Sequence, residues 1–443
     1  MAECIEQSRV ACALGGIYTA LAIDRVLPVT HTGPGCLAQA QGIFGRVNGG
    51  QSPVPFEESV VPCTDFCNTD VVFGGGEHLR TVVEKAIEYY DADLIIAVDG
   101  CTAEIVGDDI EEVADSFEGS RIPVISAKLP GFVGNNLFGH SQILKSIINQ
   151  FLEPTNEVDP LQVNVFGIVP FYDTFWHGTL ERLEELLIAI GLHPNIIYGH
   201  RHGIENVKKI PSAGFNLVLA PWVDLDIAEI LEKKYGTPYL QFDNVPIGPT
   251  ETTKFIRTLV EYAHLDQIAA ESYIRKNEDR YYYYLNRQQP FIYSCKYVPK
   301  DFYFIGSASA AVSITRFMVN DMGSVPLRIY ITDNVPKERQ EAVRASLYDV
   351  ELEDKDYEVI FTEDGGLAEA ELRKEHESRS VIFGSNWDML TARALECAFI
   401  PVCAPYGQTL LGTKNYFGYE GGIDLFSDYY GEISVNPQVA FIG

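Results

Sequence analysis

Nine cysteines are spread over 443 residues, and six of them, Cys4, Cys12, Cys36, Cys63, Cys67 and Cys101, fall within the first 101 positions. The others are Cys295, Cys397 and Cys403. An odd number of cysteines in a long chain with no export signal is a poor fit to a disulfide framework. The clustering therefore points to the chemistry of free thiols. Cys12 stands in ACALGG at the start of a helix, Cys36 in HTGPGC on a loop after a strand, and Cys101 in VDGCTAE, again after a strand. In an open α/β sheet the carboxyl ends of the strands form the crevice where ligands bind. Helix starts and loop N–H groups there lower thiol pKa values and hydrogen-bond sulfide. Thiolates are soft ligands suited to iron–sulfur clusters, which normally take four or more. Three from one chain imply the remainder from a second. There is no CxxC pair, so zinc ribbons and ferredoxin motifs do not fit. Spacing alone leaves two readings open, cluster ligands or the commoner buried small hydrophobes.

The elements that must position these residues alternate between strand and helix. Apolar runs at 26–30, 93–98, 163–169, 217–220, 302–305, 327–331, 359–361, 380–383 and 400–403 read as strands. Helical patterns at 180–190, 227–235 and about 308–320 separate several of them. Continuous apolar strands separated by helices imply an α/β fold with parallel sheets covered on both faces. Polar stretches at 154–160 (PTNEVDP) and 288–300 divide the chain into three Rossmann-like domains. These are 1–157 with the cluster cysteines, a middle domain at 158–296 and a C-terminal domain at 297–443. The tyrosine run at 281–284 is expected to form one face of a long helix packed on a neighbour.

With 46% hydrophobic and 21% charged residues the composition is globular, and the net charge of −29 would repel a phosphate backbone, which argues against nucleic acid as a partner. The first ten residues carry Glu3, Glu6 and Arg9 without an apolar core, and no apolar run approaches a membrane span. A cytoplasmic location without membrane insertion is expected.

Beyond the cysteines, ACALGGIYTALAIDRVLPVTHTGPGC, DVVFGGGEHL, DGCTAEIVGDDI and PGFVGN follow one another in order. The middle carries KKYGTPYL and VPIGPTETTKF, and the C-terminal part IPVCAPYGQTLLGTKNYFGYEGGIDL. As a set these stretches resemble the nitrogenase component 1 superfamily, and the last ones its β-type subunits. The resemblance covers nearly the whole chain and is densest over residues 10–140.

It implies that Cys12, Cys36 and Cys101 are the β-side ligands of a P-cluster-type iron–sulfur cluster shared with an α-type subunit in an α2β2 heterotetramer. Phe73 then matches an apolar residue on the surface that meets an ATP-dependent iron–sulfur reductase. The implied function is electron relay from that reductase, through the shared cluster, to a cofactor in the α partner. The alternative is a non-catalytic scaffold subunit for cofactor assembly. A third reading is an α/β binding protein whose cysteines are structural.

The resemblance implies that Gly131 is a cofactor-binding position, standing where molybdenum-type β subunits carry a serine able to ligate, and the sequence is expected to lack their long N-terminal extension. Cys63 and Cys67 lie outside the shared motif and are expected to be small buried residues. The stretch NLVLAPWVDLDIAEILEKKYG lacks the cofactor cysteine of α subunits, and Tyr406 stands where their cofactor histidine would be. Cys403, near it, is expected to be a buried strand thiol. There is no GxxxxGK[ST] motif for ATP hydrolysis. GSASAAVS, after the strand at 302–305, is read as close strand–helix packing rather than an anion site. His31 and His140 are read as hydrogen-bonded core histidines.

Overall fold

The computed structural model describes residues 5–47, 61–294, 300–375, 380–407 and 411–435, the side chains of 41–47, 291–294 and 435 excepted. Cys4, Cys295 and positions 295–299 of the second expected boundary lie outside the described residues.

The apolar runs assemble into three sheets. The first contains β1 (Val26–His31), β2 (Leu94–Asp99) and β3 (Val124–Lys128), in that order. The second contains β4 (Asp159–Phe166), β5 (His193–Asn195), β6 (Ala213–Leu219) and β7 (Tyr239–Phe242), ordered β5-β4-β6-β7. The third contains β8 (Asp301–Gly306), β9 (Val325–Ile331), β10 (Glu358–Phe361), β11 (Val381–Gly384) and β12 (Ala398–Pro401), ordered β10-β9-β8-β11-β12. Neighbouring strands are parallel throughout these sheets. Parallel neighbours need crossover connections, so helices cover the faces and strands such as β1 and β2 are buried along their whole length. The α/β architecture read from the sequence is the one found. Among the described residues no helix is long and apolar enough to cross a membrane.

Three strands escape the sequence reading. β5 spans only His193–Asn195, β7 is half-buried throughout, and β3 ends in an exposed lysine, so none presents a long apolar run. The tyrosine run also needs correction. It lies in the helix Gln267–Ser294, but only Tyr281 is buried, while Tyr282, Tyr283 and Tyr284 are exposed. Successive residues on a helix turn about 100° apart, so four in a row cannot share a face.

Register governs the first sheet. His31 pairs with Asp99, and Asp99 with Lys128, so β1, β2 and β3 end level and release their loops side by side. The turn Ala13–Gly16 lies against the helix Asn136–Ser146 at backbone contact distance. A Cβ on Gly139 would stand 2.0 Å from the Ala13 carbonyl oxygen, and one on Gly16 would stand 2.6 Å from the Gly139 carbonyl. Glycine at both places is what lets the two segments touch. Behind this contact the buried His140 is held by the Thr19 hydroxyl at 2.7 Å and by Asp224 at 3.1 Å.

The segment leading into that turn is tied to the far end of the chain. The buried guanidinium of Arg9 donates to both oxygens of Asp388, at 2.9 and 2.8 Å, and to the Ser385 hydroxyl just after β11. Asp364 accepts from the backbone N–H groups of Glu6 and Gln7. Removing one member of a buried ion pair strands the other charge. Asp388→Ala is therefore expected to destabilise the chain by about 3–5 kcal/mol, read as a lower midpoint in denaturant unfolding.

Candidate functional site

The level strand ends set the site. β1 runs into the loop at 32–33 and then the helix Pro34–Val47, whose first turn carries Cys36; the Cys36 N–H donates to the Gly33 carbonyl. β2 is followed by Gly100 and the helix Cys101–Val106, which begins on Cys101 itself. A Cβ on Gly100 would lie 2.6 Å from Thr32 Oγ1, so the loops carrying Cys36 and Cys101 touch there. After β3, the Leu129 N–H donates to Asp99 Oδ1 at 2.7 Å, which turns the chain over the end of β2. Two residues on, the Gly131 N–H donates to Cys101 Sγ at 3.1 Å. Cys12 arrives from the other side, its backbone bridged to Asn135. A Cβ on Gly131 would stand 2.4 Å from Cys12 Sγ and 3.4 Å from Cys101 Sγ. The structure thus brings Cys12, Cys101 and Gly131 into contact. Cys36 and Cys12 line a shared cleft of about 610 Å³ with Arg9, Gln39 and Phe171.

Cys12 and Cys36 are exposed and Cys101 is half-buried. The Cys12 thiol is raised above its ordinary pKa, chiefly because its sulfur is desolvated. The backbone N–H groups of Leu14 and Ala13 pull it down, whereas Cys101 and Cys36 push it up. Thiolates of like charge grouped around Cys12 disfavour one another, and a bound cation reverses the sign of that interaction. Among the described residues no three His, Cys, Asp or Glu side chains are grouped to hold a metal ion. The thiols lie instead along an open face. That arrangement fits part of a larger sulfur-bridged centre, with soft donors, N–H groups aimed at two of the sulfurs, and room beside them.

Apolar side chains frame this face. Phe132 and Val133 are exposed beside Gly131, and Ile105 is exposed one turn after Cys101. The helix Cys101–Val106 packs on the helix Asn68–Phe73, whose last residue, Phe73, is 83% exposed with Val71 and Val72 beside it. Exposed apolar side chains grouped in this way mark interaction surfaces.

Cys63 and Cys67 depart from the expected burial. Cys67 is exposed at the start of the helix Asn68–Phe73, and Cys63 is half-buried with its thiol donating to the Thr32 carbonyl at 3.2 Å. Their segment runs beside the end of β1, bridged at Thr30 and Cys63, with Val61, Thr64 and Phe66 buried and Cys67 left exposed. Cys403 is buried and lines a separate cavity of about 80 Å³ with Asp173, Ser307 and Tyr416; burial pushes its thiol up to about 12. Tyr406 is buried nearby. The helix after β8 has its first N–H taken by Asp333, at 3.0 Å from Ala308 N. A carboxylate already fills the place an anion would take, as the packing reading of GSASAAVS requires.

Residues 11–434 match the family described as nitrogenase component 1 type oxidoreductase. This chain belongs to that family. Within it, the chain is similar to B-type and beta chains. It is 27% identical to the B-type subunit of light-independent protochlorophyllide reductase from Pinus thunbergii, over 86% of this chain and 76% of that one. It is 22% identical to the nitrogenase molybdenum-iron protein beta chain of Clostridium pasteurianum, over 96% of this chain and 92% of that one. Among solved structures, nitrogenase Cp1 at pH 6.5 superposes with a TM-score of 0.81 at 20% identity, covering 98% of this chain and 94% of that chain, which is a likeness of fold.

Sequence reasoning missed the N–H donors of Leu14 and Gly131 and the apolar frame of Ile105, Phe132 and Val133. The frame left a signal, namely a large apolar residue four positions after Cys101 and two more between Gly131 and Gly134. Gly131→Ala would set a methyl group inside contact distance of the Cys12 sulfur. It is expected to displace that thiol, lower bound iron per chain and destabilise the fold by about 1–3 kcal/mol, measured by iron analysis and denaturant unfolding.

Proposed function

We propose that this chain is the β-type subunit of a nitrogenase-like reductase, working with an α-type subunit in an α2β2 assembly in the cytoplasm. One observation carries the reading: the Cys12 and Cys101 thiols meet over Gly131 on an open face framed by apolar side chains, in a chain of the component 1 family. Cys12, Cys36 and Cys101 would hold this chain's half of a P-cluster-type iron–sulfur centre, and the partner's ligands complete it. Bound there, such a centre takes up and passes on electrons between an ATP-dependent iron–sulfur reductase and a cofactor in the α-type partner.

The chain's own residues set the conditions for that transfer. The Gly131 N–H on Cys101 and the Leu14 N–H on Cys12 stabilise negative charge on the ligating sulfurs, which raises the reduction potential relative to bare thiolates. The apolar frame excludes water once a partner covers it. Phe73, exposed at its helix end, offers a docking contact to the reductase.

Cys101→Ala is expected to strip the iron–sulfur signal from the complex co-purified anaerobically with its α partner and to abolish electron transfer; full retention of the EPR signal would contradict the ligand assignment. A single four-iron cluster in place of a larger shared one would identify an assembly scaffold. Phe73→Ala is expected to raise KM for the reductase about tenfold, in keeping with about 1–2 kcal/mol for truncating a central interface aromatic, with iron content unchanged.

A further inference from the structure

Three segments that matter to the proposed function meet at one buried pair, His31 and Asp108. His31 closes β1 and is fully buried. Its Nε2 lies 2.9 Å from Asp108 Oδ2 and its Nδ1 lies 3.1 Å from Thr64 Oγ1. A carboxylate can only accept, so Nε2 carries a hydrogen, and burial, which lowers the His31 pKa, leaves Nδ1 of the neutral ring to accept from the Thr64 hydroxyl. The ring also lies edge-on to Phe66, at 4.9 Å between centroids.

Each partner reaches a different functional segment. The His31 carbonyl accepts from the Gly100 N–H at 3.1 Å, the residue before Cys101. Along the chain, His31 leads directly into the loop that carries Cys36. Asp108 follows Gly107, the left-handed residue that ends the Cys101 helix, and its N–H bonds back to Ala103. Both Asp108 oxygens then accept from the Gly75 N–H at 2.9 Å. Gly75 sits two residues after Phe73, across Gly74 at φ +87°, a conformation that favours glycine. A Cβ on Gly75 would lie 2.7 Å from the His31 ring, so the segment after Phe73 rests on the imidazole itself. Segment 73–75 is thus joined to the cysteine loops by direct contacts at the His31 ring and the Asp108 carboxylate.

Resting on the reading of Phe73 and the three cysteines given above, we propose that His31 and Asp108 are a positioning pair that transmits reductase docking at Phe73 to the loops holding Cys36 and Cys101. Neither residue is among the proposed ligands, and both side chains are buried. Contiguous hydrogen-bonded networks carry coupling of this kind, and the claim stands on measured coupling rather than proximity.

The test uses the complete complex purified anaerobically with its α partner. The EPR spectrum of the shared centre is recorded alone and with the reductase trapped by a non-hydrolysable nucleotide analogue, alongside kcat and KM for the reductase. In the parent complex docking is expected to shift the spectrum. Asp108→Asn, which weakens both the His31 and the Gly75 bonds, is expected to keep its iron and its KM but to lose the docking shift, with kcat lower by about tenfold, the scale of a small misplacement at a distance from the chemistry. His31→Gln, which can present an N–H toward Asp108, is expected to retain much of the shift; should Asp108→Asn fail to assemble, His31→Leu against His31→Gln gives the same contrast. A docking shift and kcat that match the parent in Asp108→Asn, or in His31→Leu where that pair decides, would overturn the proposal, as would a parent centre indifferent to docking. A parent complex without iron would instead overturn the reading of the cysteines.

Discussion

Parallel pairing in register is the constraint on which the site rests. Because β1, β2 and β3 end at the same level, the loops that follow them have no choice but to lie side by side. Had any strand run two residues further, its loop would have left the sheet roughly 6–7 Å away. The contact of Gly100 with Thr32 and the hydrogen bond from Gly131 to Cys101 both depend on that alignment. Cys12 is brought in separately, by the glycine contact between the turn Ala13–Gly16 and the helix Asn136–Ser146. The site therefore has two supports, a sheet edge and a helix contact, that share no residues.

Electrostatics works against the arrangement until something positive is bound. The Cys12 thiol is raised by desolvation and by its two neighbours, and only backbone N–H groups oppose this. The fold therefore holds the thiols together by backbone geometry, at the expense of ionisation at Cys12. Such a face favours occupation by a cationic centre and a covering partner, in keeping with the apolar residues around it.

Much of this was legible in the sequence, for reasons that differ by residue. The long buried strands announced the α/β class because continuous apolar runs have few other uses. The three cysteines stood out through their positions after strands and beside glycines, but their spacing alone left burial as the commoner explanation. Only the surrounding motifs favoured the ligand reading. Short edge strands such as β5 and β7 were illegible because they bury too little to need a pattern. The tyrosine run was misread because composition suggested a face that helical periodicity forbids. The His31–Asp108–Gly75 hub was invisible because its three members are joined across 33 and 77 positions of sequence, a pairing that local pattern cannot encode.

The Arg9 anchorage has a consequence for the order of synthesis. The segment that delivers Cys12 is held by Asp388, 379 positions later in the chain. The ribosome releases the N-terminal cysteines first, yet the receptor for Arg9 does not exist until β11 and the loop after it have emerged. At cellular elongation rates that interval is roughly 20–80 s. Throughout it the segment before Cys12 lacks its Asp388 anchor, and Cys12 is held through Asn135 and the glycine contact with the helix Asn136–Ser146. The N-terminal segment therefore gains its last anchorage late in synthesis, after the sheet ends and the helix contact that support the three thiols have been made.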